Sequence, residues 1–550
     1  MNYKFYLISL ALSTGSLTPL MAQSAIDAMR LTQQDMKGTA RFMSMGGAFG
    51  ALGGDLTTIS QNPAGIGVYR SNEIGITFDL DCQSANSESA GGSFRTDQTK
   101  FLLNNIGGVL TLRLPSKAVP NLNFGFTYNK TAAFNRSYGG GLGALQTSMS
   151  NWMAGVANSN GLTVGDVTTT HTYDPYNPND GGYPAPWIAI LGYDSYLINP
   201  EGDADSPNWT GQFGQGTTGT ATYGVTESGG IDSFNIAFGG NFGNVLFWGM
   251  DFDITNLNYN MSSYYQEQMD NAYVMSDQGL EQTSSDWSLR NWYKVNGTGF
   301  AYKLGLIFRP IQEFRVGFAF HTPTYYNISE QFTASTDYSY DGGPYYGQDT
   351  NGGIPGYNEL RYRSPWHMIV SAAGVIGSNL IISADYEWTQ TSRMHFKDPS
   401  YMYDYSYGWG YTYTPTYNSY DEVNNDIKDY YRNQNTFRVG AEFRVTPKFS
   451  VRAGYSNVSS PVREAASDGH LAINTAGTMP EFRFDNSTNY YTAGLGYRTG
   501  GFYADLAYVH KQQSATWHAF DSDAVSNIQA PKASVSFTSN QVVLSLGYKF

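Results

Sequence analysis

The 550-residue sequence has few charged residues and almost no cysteine. Charged side chains make up 14% of the chain, and Cys82 is its single cysteine. Intrinsic disorder requires high charge and few aromatic residues, whereas 15% of this chain is aromatic, so a disordered protein is excluded. A single thiol cannot form an intramolecular disulfide bond, which also excludes a small disulfide-stabilised scaffold.

Long apolar runs and an excess of positive charge are missing as well. A membrane-spanning helix needs roughly 18 apolar residues in a row, and no run approaches that length. The 32 Lys and Arg residues are outnumbered by 46 Asp and Glu residues, so the net charge of −14 has the wrong sign for a nucleic-acid-binding protein. The abundant residues are glycine (61) and tyrosine (43), which at this low charge favour one large all-β architecture.

Residues 1–22 have the pattern of a secretory signal peptide. Lys4 supplies the positive charge, Phe5–Leu12 is a short apolar region, and Ala22 is a small residue before the expected cleavage site. An ordinary buried N-terminal helix is the alternative. Export of a chain with one cysteine is typical of a bacterial envelope protein.

Apolar and polar residues alternate with a period of two in many segments of about ten residues, the length of a tilted strand that crosses a bilayer. At the carboxy terminus, Val542, Leu544, Leu546, Tyr548 and Phe550 share one face. Such alternation predicts fourteen strands: Glu73–Asp81, Asn105–Leu114, Asn121–Lys130, Ile231–Phe242, Val245–Asn256, Thr298–Arg309, Glu313–Thr322, Trp366–Ile376, Asn379–Thr389, Thr436–Thr446, Lys448–Asn457, Asn489–Thr499, Gly501–Lys511 and Asn540–Phe550.

The connections between these strands alternate between short and long. The short connections contain the residues that build turns: Pro115–Pro120, Gly243–Asn244, Pro310–Gln312, Gly377–Ser378, Pro447 and Gly500. Bacterial outer-membrane barrels have short periplasmic turns and long extracellular loops. We therefore predict that residues 73–550 form a 14-stranded antiparallel transmembrane β-barrel.

Charged residues on the predicted inner face cluster near the short-turn ends of the strands. They predict a belt of ion pairs in the lumen that braces the wall and a plug, or alternatively steers a ligand carrying a carboxylate. The predicted belt consists of Arg113, Arg309, Arg315, Arg444, Arg452, Arg498, Asp251, Asp385, Glu442 and Asp505.

Residues 23–72 precede the first predicted strand and show no alternation of membrane length. Their many glycines allow tight bends and close backbone packing, and Asn62-Pro63 favours a turn. We predict that this segment folds into the lumen as a hatch; a soluble periplasmic extension is the alternative.

The stretch Gly38–Glu73, with Asn62, Pro63 and Ala64 near its centre, resembles the N-terminal hatch of FadL-type outer-membrane transporters and is closest to the version found in the Bacteroidetes phylum. Further stretches that are similar to this family are Arg315–Tyr326, Arg363–His367, Phe437–Tyr455 and Leu495–Val509.

The resemblance implies a hatch-plugged barrel in the outer membrane that takes up hydrophobic compounds, such as long-chain fatty acids, by passive, ligand-gated diffusion. It also implies that Asn62, Pro63 and Ala64 form the hatch turn and that a kinked third strand, Asn121–Lys130, gives ligands a lateral exit into the bilayer. Some relatives are labelled haemin receptors, so a haemin or other amphiphile receptor is an alternative, and a non-specific porin is another.

Candidate ligand-binding residues lie in the hatch, where Met and Phe side chains adapt to flexible apolar molecules: Phe42, Met43, Met45 and Phe49. Packing of these side chains against the barrel wall is the alternative. A second candidate is an extracellular loop with Trp409 and eight tyrosines, which offers an amphipathic capture surface or simply packs on other loops: Tyr401, Tyr403, Tyr405, Tyr407, Tyr411, Tyr413, Tyr417 and Tyr420.

His321 and His367 are predicted to point inward at opposite ends of one loop and to approach each other, as haem ligands would, although coincidence is the simpler interpretation. We see no metal-binding spacing and no catalytic constellation, and expect neither a cofactor nor an enzyme. The expected partners are outer-membrane lipid, a hydrophobic small-molecule ligand and the barrel-assembly machinery, which recognises Phe550. Nucleic acid is not an expected partner, and a monomer is expected.

Overall fold

A computed structural model describes residues 24–170, 173–177, 185–276, 279–377, 379–398, 401–406, 410–415, 419–469, 471–475, 477–522 and 529–550, and between 401 and 415 only their backbone. The predicted signal peptide lies outside the described residues. No helix among the described residues is long and apolar enough to span a membrane.

Fourteen antiparallel strands form a closed ring. Each strand pairs with the next one along the chain, and β1 pairs with β14 from Glu73↔Lys549 to Glu88↔Ser534, which closes the barrel. The strands are β1 Glu73–Ser89, β2 Gly92–Arg113, β3 Asn121–Ala133, β4 Thr218–Phe242, β5 Leu246–Ser276, β6 Gly279–Ile311, β7 Phe314–His321, β8 His367–Ile376, β9 Leu380–Thr389, β10 Gln434–Arg444, β11 Phe449–Val458, β12 Phe482–Thr499, β13 Phe502–His518 and β14 Lys532–Lys549. The predicted 14-stranded barrel is confirmed.

The outside of the ring carries an apolar belt, the surface that a transmembrane barrel presents to lipid. Val542 and Leu544 on β14 are 47% and 40% exposed, as the alternation predicts. The upper edge of the belt on β4, β5 and β6 is one row of side chains directly opposite one another, formed by Phe234, Ile254 and Phe300. We take this row as the upper end of the membrane-spanning part of these strands.

Several strands continue far past their predicted ends. β4, β5 and β6 have 25, 31 and 33 residues, and β1 and β2 meet in a tight hairpin at Ala90-Gly91. The connections predicted as long loops after β1 and β5 are therefore mostly strand. Backbone pairing continues above the belt because it needs only a partner strand, whereas the apolar alternation used for the prediction stops where lipid stops.

The remaining elements lie at the long-loop end. The excursion between β3 and β4 contains a strand paired with β4, Arg136–Ala144, and the helices α4 Met149–Ser159, α5 Val164–Val167 and α6 Trp187–Asp194. The other helices at this end are α7 Asp421–Tyr430 and α8 Glu464–Ser467, with 3-10 turns at Thr350–Gly353 and Thr391–Arg393. The long strand Tyr325–Tyr340 has 16 residues and pairs with β6. The other strands at this end are Asn199–Pro200, Trp209–Thr210, Tyr346–Asp349, Gly356–Arg363, His395–Lys397, Tyr401–Ser406 and Gly410–Pro415.

Candidate functional site in the barrel lumen

The N-terminal segment, residues 24–72, lies inside the ring of strands. Its helices are α1 Ala25–Leu31, α2 Ala40–Ser44 and α3 Thr58–Gln61, followed by a 3-10 helix at Pro63–Val68. It is bonded to inward-facing side chains around the ring. Ser545 on β14 accepts from the Ala40 amide at 2.7 Å, and Asn123 on β3 donates to the Ile66 carbonyl at 2.6 Å.

The turn at Asn62, Pro63 and Ala64 is buried and held by its own side chain. The Asn62 amide oxygen accepts from the Ala64 N–H at 3.1 Å, and its NH₂ group donates to the Gly50 carbonyl. Asn62 therefore caps the 3-10 helix and ties it to an earlier loop of the same segment. This placement agrees with the role that the family resemblance implies for a hatch turn, and the role itself stays a proposal.

A girdle of inward-facing glycines makes room for the segment. A Cβ atom on Gly249 of β5 would lie 2.1 Å from the Pro63 carbonyl oxygen, and one on Gly305 of β6 would lie 2.0 Å from the Asn62 side-chain oxygen. Sequence reasoning missed this signal. Glycines at inward strand positions that touch the segment are Gly75, Gly125, Gly239, Gly249, Gly305, Gly317, Gly440, Gly454 and Gly494.

One part of the predicted ion-pair belt forms a buried network with the segment. Arg452 bonds Glu442 at 2.7 Å and Asp505 at 2.6 Å, and Arg41 of α2 reaches Glu442 at 2.9 Å. Two guanidinium groups thus neutralise two carboxylates where the segment meets β10, β11 and β13.

Two further predicted belt acids are buried but serve other partners. Asp251 is 3.7 Å from Lys303, which bonds Asp253 more closely at 2.7 Å. Asp385 accepts from the Gly50 N–H at 2.9 Å and the Gln61 amide at 3.2 Å, and therefore holds the N-terminal segment by hydrogen bonds instead of an ion pair.

The other five predicted belt residues form no ion pair in the described part of the chain. Arg315 and Arg113 donate instead to backbone carbonyls, of Leu52 at 2.8 Å and of Arg70 at 2.8 Å. Arg309 lies over the ring of Phe247. The remaining two, Arg444 and Arg498, are exposed. All five lie at or near strand ends, where water at the mouth or a neighbouring carbonyl takes the place of a carboxylate.

A cavity of about 250 Å³ lies between the segment and the surrounding strands, lined by Met29–Lys37 and by Phe42, Ser60 and Gln61 of the segment. Its described lining includes seven Lys and Arg residues but four Asp and Glu residues. The cations are Arg30, Lys37, Lys130, Lys303, Arg438, Arg483 and Lys511, and the acids are Asp35, Asp253, Glu387 and Asp485. Each of these cations is paired with a carboxylate, which for Arg30, Lys37 and Lys130 lies outside the described lining, so the charges around the cavity are largely neutralised.

Of the four candidate ligand-binding residues, one lines the cavity and three do not. Phe42 lines the cavity, next to apolar side chains such as Met36 and Ile369. Met43, Met45 and Phe49 do not line it and are fully buried in a cluster against the wall. The Met45 backbone, for example, fits against Gly440 and Gly454.

His321 and His367 approach each other, with ring centroids 5.9 Å apart, and both line the cavity. One ring nitrogen of each histidine has a partner, since His321 Nε2 bonds the Gln61 carbonyl and His367 Nδ1 bonds Glu387, each at 2.8 Å. These bonds tie the two histidines to the N-terminal segment and to the wall. No metal-binding group of three or more His, Cys, Asp or Glu occurs among the described residues.

The third strand is paired along both edges. β3 pairs with β2 from Asn121 to Asn129 and with β4 from Leu122 to Ala133. The register shifts once, between Lys130 and Ala132. The wall is therefore paired on both edges of β3 over Leu122–Asn129, and beyond Asn129 this strand pairs with β4 alone. The side chains of the tyrosine-rich loop lie outside the described residues, apart from Tyr420.

Helix α1 carries the segment up to the long-loop end. Arg30 of α1 lies 3.9 Å from Glu227, which also bonds Arg483 at 3.0 Å and Arg136 at 3.3 Å. Glu227 is above the membrane-spanning part of β4. Burial alone would raise its pKa, but these three guanidinium groups hold the pKa of Glu227 at about 2, so the carboxylate stays charged.

No protein-family model matches the sequence, and no curated protein matches it. Among solved structures, a FadL homologue of Pseudomonas aeruginosa is 13% identical, covers 94% of this chain and 99% of its own, and superposes with a TM-score of 0.50. The toluene transporters TodX of Pseudomonas putida and TbuX of Ralstonia pickettii are 12% and 13% identical, with TM-scores of 0.49 and 0.40; each comparison covers 94% of this chain and 99% of theirs. The FadL homologue shows a shared fold, which confirms the fold that the sequence resemblance implies.

Proposed function

We propose that this protein is an outer-membrane channel for hydrophobic compounds, with the N-terminal segment as its hatch and the long-loop end outside the cell. The supporting observation is the filled lumen. The segment is bonded to the strands around it and leaves a cavity of about 250 Å³ between its residues and the wall. A general porin keeps an open aqueous lumen and needs no such segment.

Amphiphiles with an anionic head group, such as long-chain fatty acids, are the substrates we propose. The lining combines Phe42, Met36 and other apolar side chains with Lys and Arg groups that are held by carboxylate partners. A carboxylate gains from nearby Lys and Arg groups, and an acyl chain gains from adaptable Met and Phe side chains.

The size of the cavity supports ligand gating, which we propose as part of this function. Binding sites for drug-sized molecules usually measure about 300–1,000 Å³, more than the 250 Å³ present here. A long acyl chain therefore requires the hatch to move, and we interpret the structure as the closed state. Conduction then needs sites that bind well enough to load and weakly enough to release.

Uptake by cells that lack their own transporter tests this function. Cells expressing the protein should accumulate radiolabelled oleate faster than cells with an empty vector, while uptake of a small polar solute should stay unchanged. Equal uptake of both compounds would indicate a porin, and uptake of neither would contradict the proposal.

A matched pair of variants tests the cavity. Phe42 and Phe49 are both buried hatch aromatics with ring centroids 5.7 Å apart, but of the two only Phe42 lines the cavity. We expect Phe42→Ala to lower oleate uptake severalfold at low concentration and Phe49→Ala to lower it less at equal expression. A larger effect for Phe49→Ala would show that hatch packing, and not the cavity, limits uptake.

A further inference from the structure

The outward face of β4–β6 changes character above the apolar belt. The next three cross-strand rows above Phe234, Ile254 and Phe300 contain amides, hydroxyls, glycine and two charged residues, Asp232 in the first row and Lys294 in the third. These rows are Asp232, Asn256, Thr298 and Asn327; then Gly230, Asn258, Asn296 and Ser329; then Ser228, Asn260, Lys294 and Gln331. A side-chain amide ladder runs through them, since Asn260 donates to Asn258 at 3.0 Å and Asn258 donates to Asn296 at 2.6 Å.

Above this ladder the same face forms an open groove of about 710 Å³. Its floor crosses the outward side chains of neighbouring strands, which at ~4.8 Å per strand gives a length of roughly 20 Å. Five small hydroxyl side chains and two half-buried rings cover the floor. The hydroxyl residues are Ser137, Thr226, Ser262, Thr333 and Ser335, and the rings are Tyr264 and Trp292. Phe94, 53% exposed, forms one end wall, and Asp349 with Gly353 forms the other.

The chemistry of the floor favours a neutral, hydroxyl-rich ligand. Arg290 and Asp349 are the charged residues of the described lining, and Arg290 is already paired with Asp337 and lies over the Tyr264 ring. Aromatic rings beside hydroxyl and amide groups suit a sugar, whose ring has an apolar face and a polar edge.

The height of the groove narrows the choice of ligand. Trp292 lies eight residues beyond Phe300 on β6, a distance of ~26 Å along the strand and roughly 19 Å in height at a tilt of about 45°. Phospholipid head groups extend only about 5–8 Å past the hydrocarbon core. A lipid anchored on the belt therefore reaches Trp292 only if its head contains several sugars.

We propose that this groove binds the oligosaccharide head of an outer-leaflet glycolipid whose acyl chains lie on the apolar belt below. Trp292 and Tyr264 stack on sugar rings, and the hydroxyl rows accept and donate hydrogen bonds along the chain of sugars. The site is continuous with the lipid-facing belt along the same three strands. It rests on the orientation given under the proposed function and does not depend on what crosses the lumen.

Binding of purified glycolipids by the full-length protein in detergent tests the proposal, with native mass spectrometry as the readout. The probes are lipopolysaccharide with a complete core oligosaccharide, lipopolysaccharide truncated to its innermost sugars, and phosphatidylglycerol. We expect the complete form to bind at least tenfold more tightly than the other two. The double variant Trp292→Ala, Tyr264→Ala should bind the complete lipopolysaccharide about tenfold more weakly, because each substitution removes one stacking contact with a sugar ring.

Three controls make the result decisive. Trp292→Phe keeps a ring and should keep the affinity within about twofold. Tyr491→Ala removes a ring on β12 that is equally outward and 48% exposed, outside the groove, and should change nothing. Oleate uptake by the double variant should match that of the unmodified protein, which separates this site from the lumen. Equal binding of the complete and truncated forms, or an unchanged affinity in the double variant, would overturn the proposal, as would binding of the groove to a protein in place of the sugar.

Discussion

At the scale of single residues, the lumen is held by charges that neutralise one another in pairs. Arg452 is the central example, because it lies between Glu442 and Asp505 and has almost no exposed surface. Removing one partner of a buried ion pair leaves the other charge without compensation, which costs far more than the pair itself contributes.

We predict that Arg452→Met destabilises the barrel by about 3 kcal/mol, because Asp505 loses its bonded cation. The midpoint of thermal unfolding in detergent, followed by the heat-dependent gel shift of folded barrels, measures this. Arg444→Met is the matched control on the neighbouring strand, where the arginine is exposed, and should shift the midpoint little. Equal shifts in both variants would contradict the assignment.

The period-2 alternation predicted which charged residues face the lumen, but it did not predict which residues they pair with. Arg452, Glu442 and Asp505 were predicted inside the lumen and are bonded there, whereas Arg498, predicted in the same way, is exposed at the rim. Whether an inward charge is buried and paired depends on how far along the strand it lies from the barrel mouth and on the position of Arg41 in the N-terminal segment. Period-2 alternation carries no information on either.

At the scale of elements, inward-facing glycines on the strands allow the N-terminal segment to pack directly against the barrel wall. The segment contacts strand backbone directly at the inward glycines, so any Cβ atom there must displace it. The sequence contains these glycines, but their meaning becomes visible only when the segment is inside the ring.

We expect Gly249→Val to displace the 3-10 helix Pro63–Val68, because the new Cβ would lie 2.1 Å from the Pro63 carbonyl oxygen. The single-channel conductance in a planar bilayer should rise severalfold above that of the unmodified protein. Gly374→Val on β8 is the control, since its Cβ would meet no atom closer than 3.9 Å in the described structure. If the Gly249→Val variant folds normally but its conductance equals that of the unmodified protein, the proposed contact is refuted.

A second element-scale prediction concerns α4 and pH. Glu267, above the membrane-spanning part of β5, accepts from the Met149 N–H at 2.8 Å and from the Tyr265 hydroxyl at 2.7 Å, and it also bonds Ser148. Burial raises the pKa of Glu267 from 4.5 to about 7. A carboxyl whose pKa is raised on folding stabilises the fold below its unfolded pKa, and that contribution is lost as pH rises through about 7.

Hydrogen exchange of Met149–Ser159 should therefore be less protected at pH 8 than at pH 5.5, after correction for intrinsic exchange rates. Glu267→Gln removes the titration and should make protection independent of pH. A pH dependence that survives in Glu267→Gln would show that another group is responsible.

At the scale of the whole molecule, the period-2 alternation of apolar and polar residues predicted all fourteen strands, and the alternation of short and long connections predicted that they form a barrel. The sequence did not predict how far β4–β6 rise above the lipid, because polar strands lack the apolar alternation that marks a membrane crossing. It also did not predict the cavity, whose walls come from elements distant in sequence, such as Phe42, Lys303 and Lys511.

The central claim is that a transmembrane barrel is closed by its own N-terminal segment. The most direct test compares the ion conductance of the full-length protein with that of a variant lacking residues 23–72, both refolded and reconstituted in planar bilayers. The account predicts a nearly sealed full-length barrel and a large, stable conductance for the deletion variant. An unchanged conductance in a deletion variant that still shows the gel shift of a folded barrel would contradict it.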